Sequence, residues 1–223
     1  ERQSLFAQLE YGLSEKTRLT AGVQWNKPEG DDLDASPRLA LVHRYSDQWH
    51  GKLLYAKAFR SPYGSELYFE AGFLEGNDSL EPESIETAEA QLIFGDDSLA
   101  FTTTVYYSEA ENLIERALVG SANTFINQSD KIYYRGVEFE WNKQINATMR
   151  IQGSASYQMN EDESGQDDVM AAANEMLKLG FIYRPNKQLV LGVWNNYFGG
   201  ASKLEDLEGS AAQVVNPASE AVN

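Results

Sequence analysis

The chain has 223 residues, with 18 lysines and arginines against 34 aspartates and glutamates, and its net charge is −16. A charge of that sign argues against a nucleic-acid partner. The absence of cysteine excludes disulfides and thiolate metal sites, and no apolar run reaches the ~20 residues that a membrane helix needs.

The dominant period of the sequence is two, which predicts strands rather than helices. About ten strands of roughly nine to twelve residues are predicted, which is longer than the five or six residues common in soluble proteins. In chain order they are about 2–12, 18–26, 38–46, 49–59, 84–94, 99–108, 133–141, 147–159, 176–184 and 188–198.

Three of these segments alternate strictly between an apolar and a polar face. They are Arg18 to Asn26, Tyr133 to Trp141 and Ala147 to Met159. One face is predicted to meet lipid and the other the lumen of a barrel. The predicted lipid-facing residues are Leu19, Val23, Val137, Phe139, Met149, Ile151 and Ala155, and the predicted lumen-facing residues are Gln24, Glu138, Arg150 and Gln152.

Short and long connections alternate along the chain. The short polar turns are "SEKT", "SDQ", "GDDS", "NKQIN" and "PNKQ", and the long links are about 27–37, 60–83, 109–131 and 160–174. This arrangement is typical of a transmembrane β-barrel. A soluble β-sandwich that serves as a binding or adhesion module is the alternative, because its strands also alternate. Residues 168–178 are predicted to form a short helix.

The link at 60–83 combines one arginine with several aromatic residues and is not expected to form regular structure. Arg60 offers a forked donor for an anionic ligand, and Tyr63, Tyr68, Phe69 and Phe73 offer flat apolar contact area. The competing interpretation is architectural, because Pro62 ends the strand and Pro82 restrains the return. The architectural role ranks first for Arg60 and Pro62.

Two later links hold further candidates. In the link at 109–131, Arg116 and Asn112 are candidate ligand contacts, but the interpretation that ranks first is a solvated loop that packs Leu113, Ile114 and Leu118 on its neighbour. The stretch "NEDESG" begins like a calcium loop, but Ala171 stands at the twelfth position, where a bidentate acid is required. The interpretation that ranks first is a solvated acidic loop, and the alternative is a looser calcium site with Asp167 and Asp168.

Enzymatic and cofactor-dependent functions find no support in the sequence. Its two histidines, His43 and His50, flank a short turn away from the long links. No G-x-S-x-G motif and no glycine-rich phosphate loop is present. We therefore predict no catalytic residues, no metal ligands and no cofactor.

Several motifs occur in an order that resembles the barrels of TonB-dependent outer-membrane receptors. Phe59-Arg60-Ser61-Pro62, Glu66-Leu67-Tyr68 and the run "NDSLEPE" at 77–83 resemble a family stretch in which "FRAP" leads through "EL" to "GNPxLxPE". Ser36-Pro37-Arg38-Leu39 lies one hairpin earlier. Asn127, followed by "YRGVE" at 134–138, is similar to a family strand of the form "N…GxE". The resemblance covers roughly residues 1–200.

The resemblance implies an all-β fold, an antiparallel up-and-down meander that forms part of a 22-stranded transmembrane barrel. Residues 1–199 would be a partial barrel, 200–223 a truncated extracellular loop, and the plug domain would be absent. The implied function is TonB-coupled uptake of a scarce ligand, most often an iron-siderophore, with vitamin B12, haem and oligosaccharides as family alternatives. The implied location is the outer membrane of a Gram-negative bacterium. The implied partners are outer-membrane lipid and, through a missing N-terminal segment, TonB.

Overall fold

A computed structural model of the chain describes residues 3–27, 34–120, 122–170 and 172–199. The predicted loop at 200–223 lies outside these residues. Ten long strands are β1 (Gln3–Ser14), β2 (Thr17–Lys27), β3 (Asp34–Arg44), β4 (Trp49–Arg60), β7 (Glu83–Gly95), β8 (Leu99–Glu111), β11 (Ile132–Gln144), β12 (Met149–Asp162), β13 (Glu175–Asn186) and β14 (Leu189–Phe198). The short elements are α1 (Gly64–Tyr68), β5 (Glu70–Ala71), β6 (Leu74–Glu75), β9 (Ile114–Val119) and β10 (Ala122–Asn127).

The ten long strands form one antiparallel sheet in the order β1-β2-β3-β4-β7-β8-β11-β12-β13-β14. Each inner strand therefore pairs with the long strands before and after it, and β1 and β14 each pair with one neighbour, which confirms the predicted meander. The four-stranded second sheet has the order β5-β6-β10-β9 and lies wholly within the two long links on either side of β7 and β8. No described helix is long and apolar enough to cross a membrane.

Asparagine and aspartate side chains fix the predicted tight turns. Asp96 accepts hydrogen bonds from the backbone N–H groups of Ser98 and Leu99, both at 2.7 Å. Asn146 accepts from Met149 at 3.0 Å, and Asn186 accepts from Leu189 at 3.1 Å. A short polar side chain that satisfies the next backbone donors favours a turn over a continued strand, which explains the sites of three hairpins.

The described chain divides into two compact units. The first contains Glu1–Leu41, Leu54–Ala88 and Ser108–Tyr133. Within it, β1 and β2 pair so that Ala7 lies opposite Val23 on one face, whereas Phe6 lies opposite Gln24 on the other. All buried hydrophobic residues of the described chain belong to this unit, and they are Leu74, Leu80, Ala110, Phe125 and Ile132.

The second unit contains Val42–Leu53, Glu89–Tyr107 and Tyr134–Asn223. Across β12, β13 and β14, Ile151 lies opposite Phe181, and Phe181 lies opposite Val193. These apolar side chains share one face. The next row, Gln152 with Gly180, lies on the other face, together with Arg150. The predicted alternation of β12 is confirmed as a difference between faces.

Aromatic rings in the second unit form a continuous row at the turn ends of its strands. Trp49 lies 4.9 Å from Phe94, Phe94 lies 5.2 Å from Phe101, and Phe101 lies 5.8 Å from Phe139. These separations are typical of favourable aromatic pairs. The row packs side chains along one sheet face, and no described hydrophobic residue of this unit is buried.

Two sequence expectations are wrong. The described residues of 168–178 do not form a helix, because Glu175 begins β13 and Met176 pairs with Ser156 on β12. The loop before β13 is held instead by Asn160, which exchanges two hydrogen bonds with the backbone of Met170. The link at 60–83 does contain regular structure, namely α1, β5 and β6.

Candidate functional site

The two long links beside β7 and β8 fold together into one small structure, which we call the loop module. It consists of the described residues of 61–82 and 112–131. Its core is formed by Leu74, Leu80 and Phe125, and Leu67 and Ile114 pack against them. Because β6 pairs with β10, the core joins residues far apart in the sequence. The predicted packing of Ile114 is present, but Leu118 is 68% exposed and does not pack as expected.

Arg60 ends β4 and directs its guanidinium group toward two carboxylates. Nε and Nη2 donate to Glu83 at 2.5 and 2.7 Å, and Nη1 and Nη2 donate to Glu66 at 2.9 and 3.3 Å. The guanidinium carbon also lies 4.8 Å from the ring centre of Tyr63. Hydrogen bonds to Glu83 and Glu66 raise the pKa of Arg60. The forked donor thus joins α1 to the start of β7.

Each carboxylate also holds a backbone group. Glu66 accepts from the Tyr63 N–H at 2.7 Å, which satisfies a donor at the start of α1. Glu83 accepts from the Ile114 N–H at 2.7 Å, which anchors the start of β9. Burial raises the pKa of Glu83, but hydrogen bonds from Arg60 and Ile114 outweigh it and hold the pKa below its ordinary value.

Asn127 connects the two links through backbone groups. Its Oδ1 accepts from the Glu81 N–H at 2.8 Å, and its Nδ2 donates to the Glu81 carbonyl at 2.9 Å and to the Asn112 carbonyl at 2.8 Å. Asn77 makes a similar connection, because its Nδ2 donates to the Phe125 carbonyl at 2.9 Å. The side-chain amides of Asn127 and Asn77 therefore satisfy backbone groups of the neighbouring link, as one strand satisfies the next in a sheet.

Gly76 sits where the first link passes over its own backbone. Its N–H donates to the Phe69 carbonyl at 2.6 Å. A Cβ atom at this position would lie 2.7 Å from the carbonyl carbon and oxygen of Leu67 and from the Phe69 nitrogen. Since backbone atoms cannot move aside as a flexible side chain can, only glycine fits without rearrangement.

The predicted aromatic contacts lie on the surface of the loop module. Tyr68 and Phe73 are each 73% exposed, and Tyr63 is also largely exposed. Phe69 is less exposed and packs edge-on against Phe73, with ring centres 6.5 Å apart. The Phe73 carbonyl accepts from Asn123 at 3.1 Å, which ties this surface to β10.

Arg116 lies on β9, directly opposite Phe125. Its guanidinium carbon is 5.5 Å from the Phe125 ring centre, and its side chain is exposed. The structure therefore brings Arg60 together with Tyr63, and Phe69 together with Phe73, whereas Arg116 has its own aromatic contact. Binding of a ligand by these six residues stays a prediction.

The residues that assemble the module, Glu66, Glu83, Asn77 and Asn127, were not among the predicted site residues. Each of them nevertheless belongs to a family-like motif: Glu66 to "EL", Asn77 and Glu83 to "NDSLEPE", and Asn127 to the asparagine that precedes "YRGVE". A motif letter indicates that a position matters but not which distant group it contacts. The contacts that these four residues make across the two links could therefore not be predicted from the sequence.

In the acidic stretch "NEDESG" at 160–165, the side chain of Asp162 accepts hydrogen bonds from the backbone of its own loop. Asp162 accepts from the backbone N–H of Ser164 at 2.8 Å and of Gln166 at 3.0 Å. Among residues 3–27, 34–120, 122–170 and 172–199, no group of three or more candidate ligands could hold a metal ion. The proposed looser calcium site gains no geometric support.

Comparisons with known proteins agree with this geometry. The sequence profile described as "TonB dependent receptor-like, beta-barrel" matches residues 1–217. The siderophore receptor PirA from Pseudomonas aeruginosa superposes with a TM-score of 0.77 at 18% identity, over 89% of this chain and 37% of PirA. No curated protein sequence matches the chain.

Two other solved structures are similar. A variant of the ferric enterobactin receptor PfeA from Pseudomonas aeruginosa, in complex with enterobactin, has a TM-score of 0.76 at 21% identity, over 89% of this chain and 32% of PfeA. The copper transporter OprC has a TM-score of 0.67 at 17% identity, over 87% of this chain and 34% of OprC. The chain thus spans about a third of the length of these proteins.

Proposed function

The chain belongs to the TonB-dependent receptor β-barrel family, and from this we propose that it forms wall and outer loops of an outer-membrane receptor that imports an iron-siderophore with energy supplied through TonB. The family and its solved relatives are receptors and transporters. Residues 1–199 would be one section of a 22-stranded barrel. Outer-membrane lipid would surround it, and TonB would act through parts of the protein outside this sequence.

The observation that carries the proposal is the uncovered apolar face of the long strands. Phe181, Val193 and Leu191 are large hydrophobic residues with more than a third of their surface exposed. A soluble β-sandwich would bury such a face against a second sheet. In the described part of the chain, the only other sheet is the small one in the loop module. An apolar face this large is stable when lipid covers it.

The length of the apolar band on β7 fits a membrane. Ala88, Ala90, Leu92 and Phe94 lie between Glu86 and Asp96 in the same alternation. The ten steps from Glu86 to Asp96 extend ~33 Å at ~3.3 Å per residue, or ~25 Å for a strand tilted by ~40°. That height matches the ~25 Å apolar band of outer-membrane barrels. Glu86 accepts from Lys57 at 2.8 Å at the link end, where charges would meet headgroups.

The loop module supports a ligand-binding role for the link side of the sheet. Its core and its Arg60 and Asn127 connections give the exposed Tyr68 and Phe73 a preformed base. Preformed aromatic surfaces bind with little loss of side-chain entropy. PirA and PfeA are named for siderophores, whereas OprC is named for copper. The fold alone therefore leaves the ligand open, and the aromatic surface favours the siderophore.

The test is TonB-dependent uptake of radiolabelled ferric enterobactin by the full-length protein, in cells that lack other receptors for it. We expect uptake that requires TonB. Replacing both Tyr68 and Phe73 with alanine should weaken surface binding at least tenfold, since each buried aromatic contact contributes ~1–3 kcal/mol. Tyr45→Ala, an exposed aromatic residue beside a short turn, is the matched control and should bind normally. Absence of the protein from the outer membrane would contradict the proposal.

A further inference from the structure

Charged side chains form one network at the bases of both long links beside β7 and β8. Lys57 on β4 donates to Glu86 on β7 at 2.8 Å. Lys131, which ends the second link, contacts both Glu109 and Glu111 on β8. Electrostatic attraction also acts between Lys57 and Glu111 and between Lys131 and Glu86. These five residues are therefore one cluster, which we call the rim network.

The rim network lies on the outward face of the predicted barrel wall. Four of its members each stand eight residues along the chain from a member of the aromatic row, which includes the predicted lipid-facing Phe139. The pairs are Lys57 with Trp49, Glu86 with Phe94, Glu109 with Phe101, and Lys131 with Phe139. An even separation on a strand keeps two side chains on the same face. Because β4, β7, β8 and β11 are inner strands, further strands of a barrel would join at β1 and β14 and would not cover this face.

The height of the rim network places it at the border of the membrane. Eight residues extend about 26 Å at ~3.3 Å per residue, or about 20 Å for a strand tilted by ~40°. The aromatic row and the rim network therefore lie near opposite borders of the ~25 Å apolar band of an outer-membrane barrel. Because charges inside that band are costly, the rim network meets lipid headgroups rather than acyl chains.

The side chains of the rim network are accessible to those headgroups. They are 32–43% exposed. Tyr55, whose hydroxyl donates to Glu86 at 2.9 Å, adds a ring with one apolar and one polar end. Such rings are enriched where the apolar part of a membrane meets water.

The charges of the rim network select the kind of headgroup that can bind. Two ammonium groups and three carboxylates lie together, so a headgroup of a single sign would be repelled by one of the two sets. A headgroup that carries both a phosphate and a primary ammonium group matches both. The Lys57 ammonium has three N–H groups, one of which donates to Glu86, and Glu109 and Glu111 share the ammonium of Lys131. Donors for a phosphate and acceptors for an ammonium group are thus both present.

We propose that the rim network binds the phosphoethanolamine headgroup of a phospholipid that lies against the outward face of the barrel wall. The phosphate would accept from Lys57, and the ammonium group would donate to Glu111. A choline headgroup lacks the N–H donors for the second contact, and a glycerol headgroup lacks the positive charge. The site rests on the proposed function for the membrane around the sheet, and it adds the chemistry of one bound lipid.

Native mass spectrometry of the full-length protein in detergent measures which lipid stays bound. The probes are dioleoyl phosphatidylethanolamine, phosphatidylcholine and phosphatidylglycerol, which share their acyl chains and differ in the headgroup. We expect the ethanolamine lipid to bind about tenfold more tightly than either of the others, as gain of a charge-assisted pair does.

Three variants test the assigned contacts. Lys57→Gln should remove the preference for the ethanolamine lipid. Glu111→Gln should weaken binding of the ethanolamine lipid and leave binding of the glycerol lipid unchanged, because only the former donates to that carboxylate. Lys52→Gln is the matched control and should bind as the unaltered protein does, since Lys52 lies on β4 an odd number of residues from Lys57 and so on the other face.

Three results would overturn the site: equal binding of the three lipids, tighter binding of the glycerol lipid, or a copurified phosphorylated glycolipid that excludes the ethanolamine lipid. Equal effects of Lys57→Gln and Lys52→Gln would also overturn it. Failure of the proposed function looks different. A protein that retains the ethanolamine lipid through Lys57 but supports no TonB-dependent uptake keeps the site and loses the import function. A protein that imports ferric enterobactin without a lipid preference keeps the function and loses the site.

Discussion

Arg60 contacts two carboxylates that belong to different structural elements, Glu66 on α1 and Glu83 at the start of β7. Replacing it with glutamine would leave both half-buried acids without a cation. We expect Arg60→Gln to destabilise the loop module by about 2 kcal/mol, because an uncompensated, partly buried charge is costly. Amide hydrogen exchange of residues 64–76 measures this effect.

The matched control is Arg44→Gln. Arg44 contacts Asp47 at 3.5 Å beside a short turn, and the Asp47 side chain is 99% exposed. Exposed pairs of this kind contribute little, so exchange should change by less than about 0.5 kcal/mol. Equal effects of the two substitutions would show that Arg60 has no special role in the module.

Glu83 should make the anchoring of β9 depend on pH. Its folded pKa lies below the ordinary value of 4.5. The carboxylate therefore stabilises the fold at neutral pH, and this contribution is lost as the pH falls below about 4.5. The amide resonance of Ile114, which donates to Glu83, should titrate with a midpoint below that value. The same titration in Glu83→Gln should be absent. A midpoint above 4.5 would contradict the assignment.

The sequence indicated which loop residues could take part in a site, but it did not indicate which groups they contact in the folded protein. The forked donor of Arg60 and its strand-ending position follow from "FRSP". Its engagement by Glu66 and Glu83 depends on where the two links return to the sheet, which no local pattern encodes. The same holds for Arg116, whose contact with Phe125 requires the register of β9 on β10.

At the scale of elements, Asn127 is the residue on which the joining of the two links depends most. Asn127→Ala removes three hydrogen bonds to backbone groups of Glu81 and Asn112. We expect a loss of about 2–3 kcal/mol in the stability of the module, since these backbone groups would lack partners. Hydrogen exchange should accelerate in β9, β10 and residues 77–82, while β12 and β13 stay protected.

Asn123→Ala provides the comparison. Asn123 makes one hydrogen bond, at 3.1 Å to the Phe73 carbonyl, and its side chain is exposed. Its loss should cost about 1 kcal/mol or less. If Asn127→Ala changed exchange no more than Asn123→Ala does, the two links would be joined by the hydrophobic core alone.

The long strands and tight turns could be predicted because their signals are local. Alternation over nine or more residues identified β2, β11 and β12, and short polar runs identified the turns. The short strands β5, β6, β9 and β10 have two to six residues, too few for a period to appear. Residues 175–178 read as part of a helix because "AAANEMLK" has helix-forming composition, yet pairing with β12 outweighs that preference.

At the scale of the molecule, the two faces of the ten-stranded sheet are expected to meet different media, lipid on one side and the lumen on the other. The sequence predicted the division of β12 into two faces, and the register of β13 confirms it. It could not reveal that the Arg38 side chain lies across Gly22, because the two residues come from different strands. The position of lipid against the apolar face is the central claim.

These 223 residues contain no cysteine, so a label introduced in β12 has no competing site within this part of the protein. Single cysteines at positions 149 to 155 of β12 in the full-length protein can each carry a nitroxide spin label after reconstitution into lipid bilayers. Collisions with oxygen report lipid, and collisions with a water-soluble nickel complex report the lumen. We predict alternation with a period of two, with high oxygen accessibility at Met149, Ile151, Gly153 and Ala155 and high nickel accessibility at Arg150, Gln152 and Ser154. Uniform access to the nickel complex at all seven positions would contradict the account.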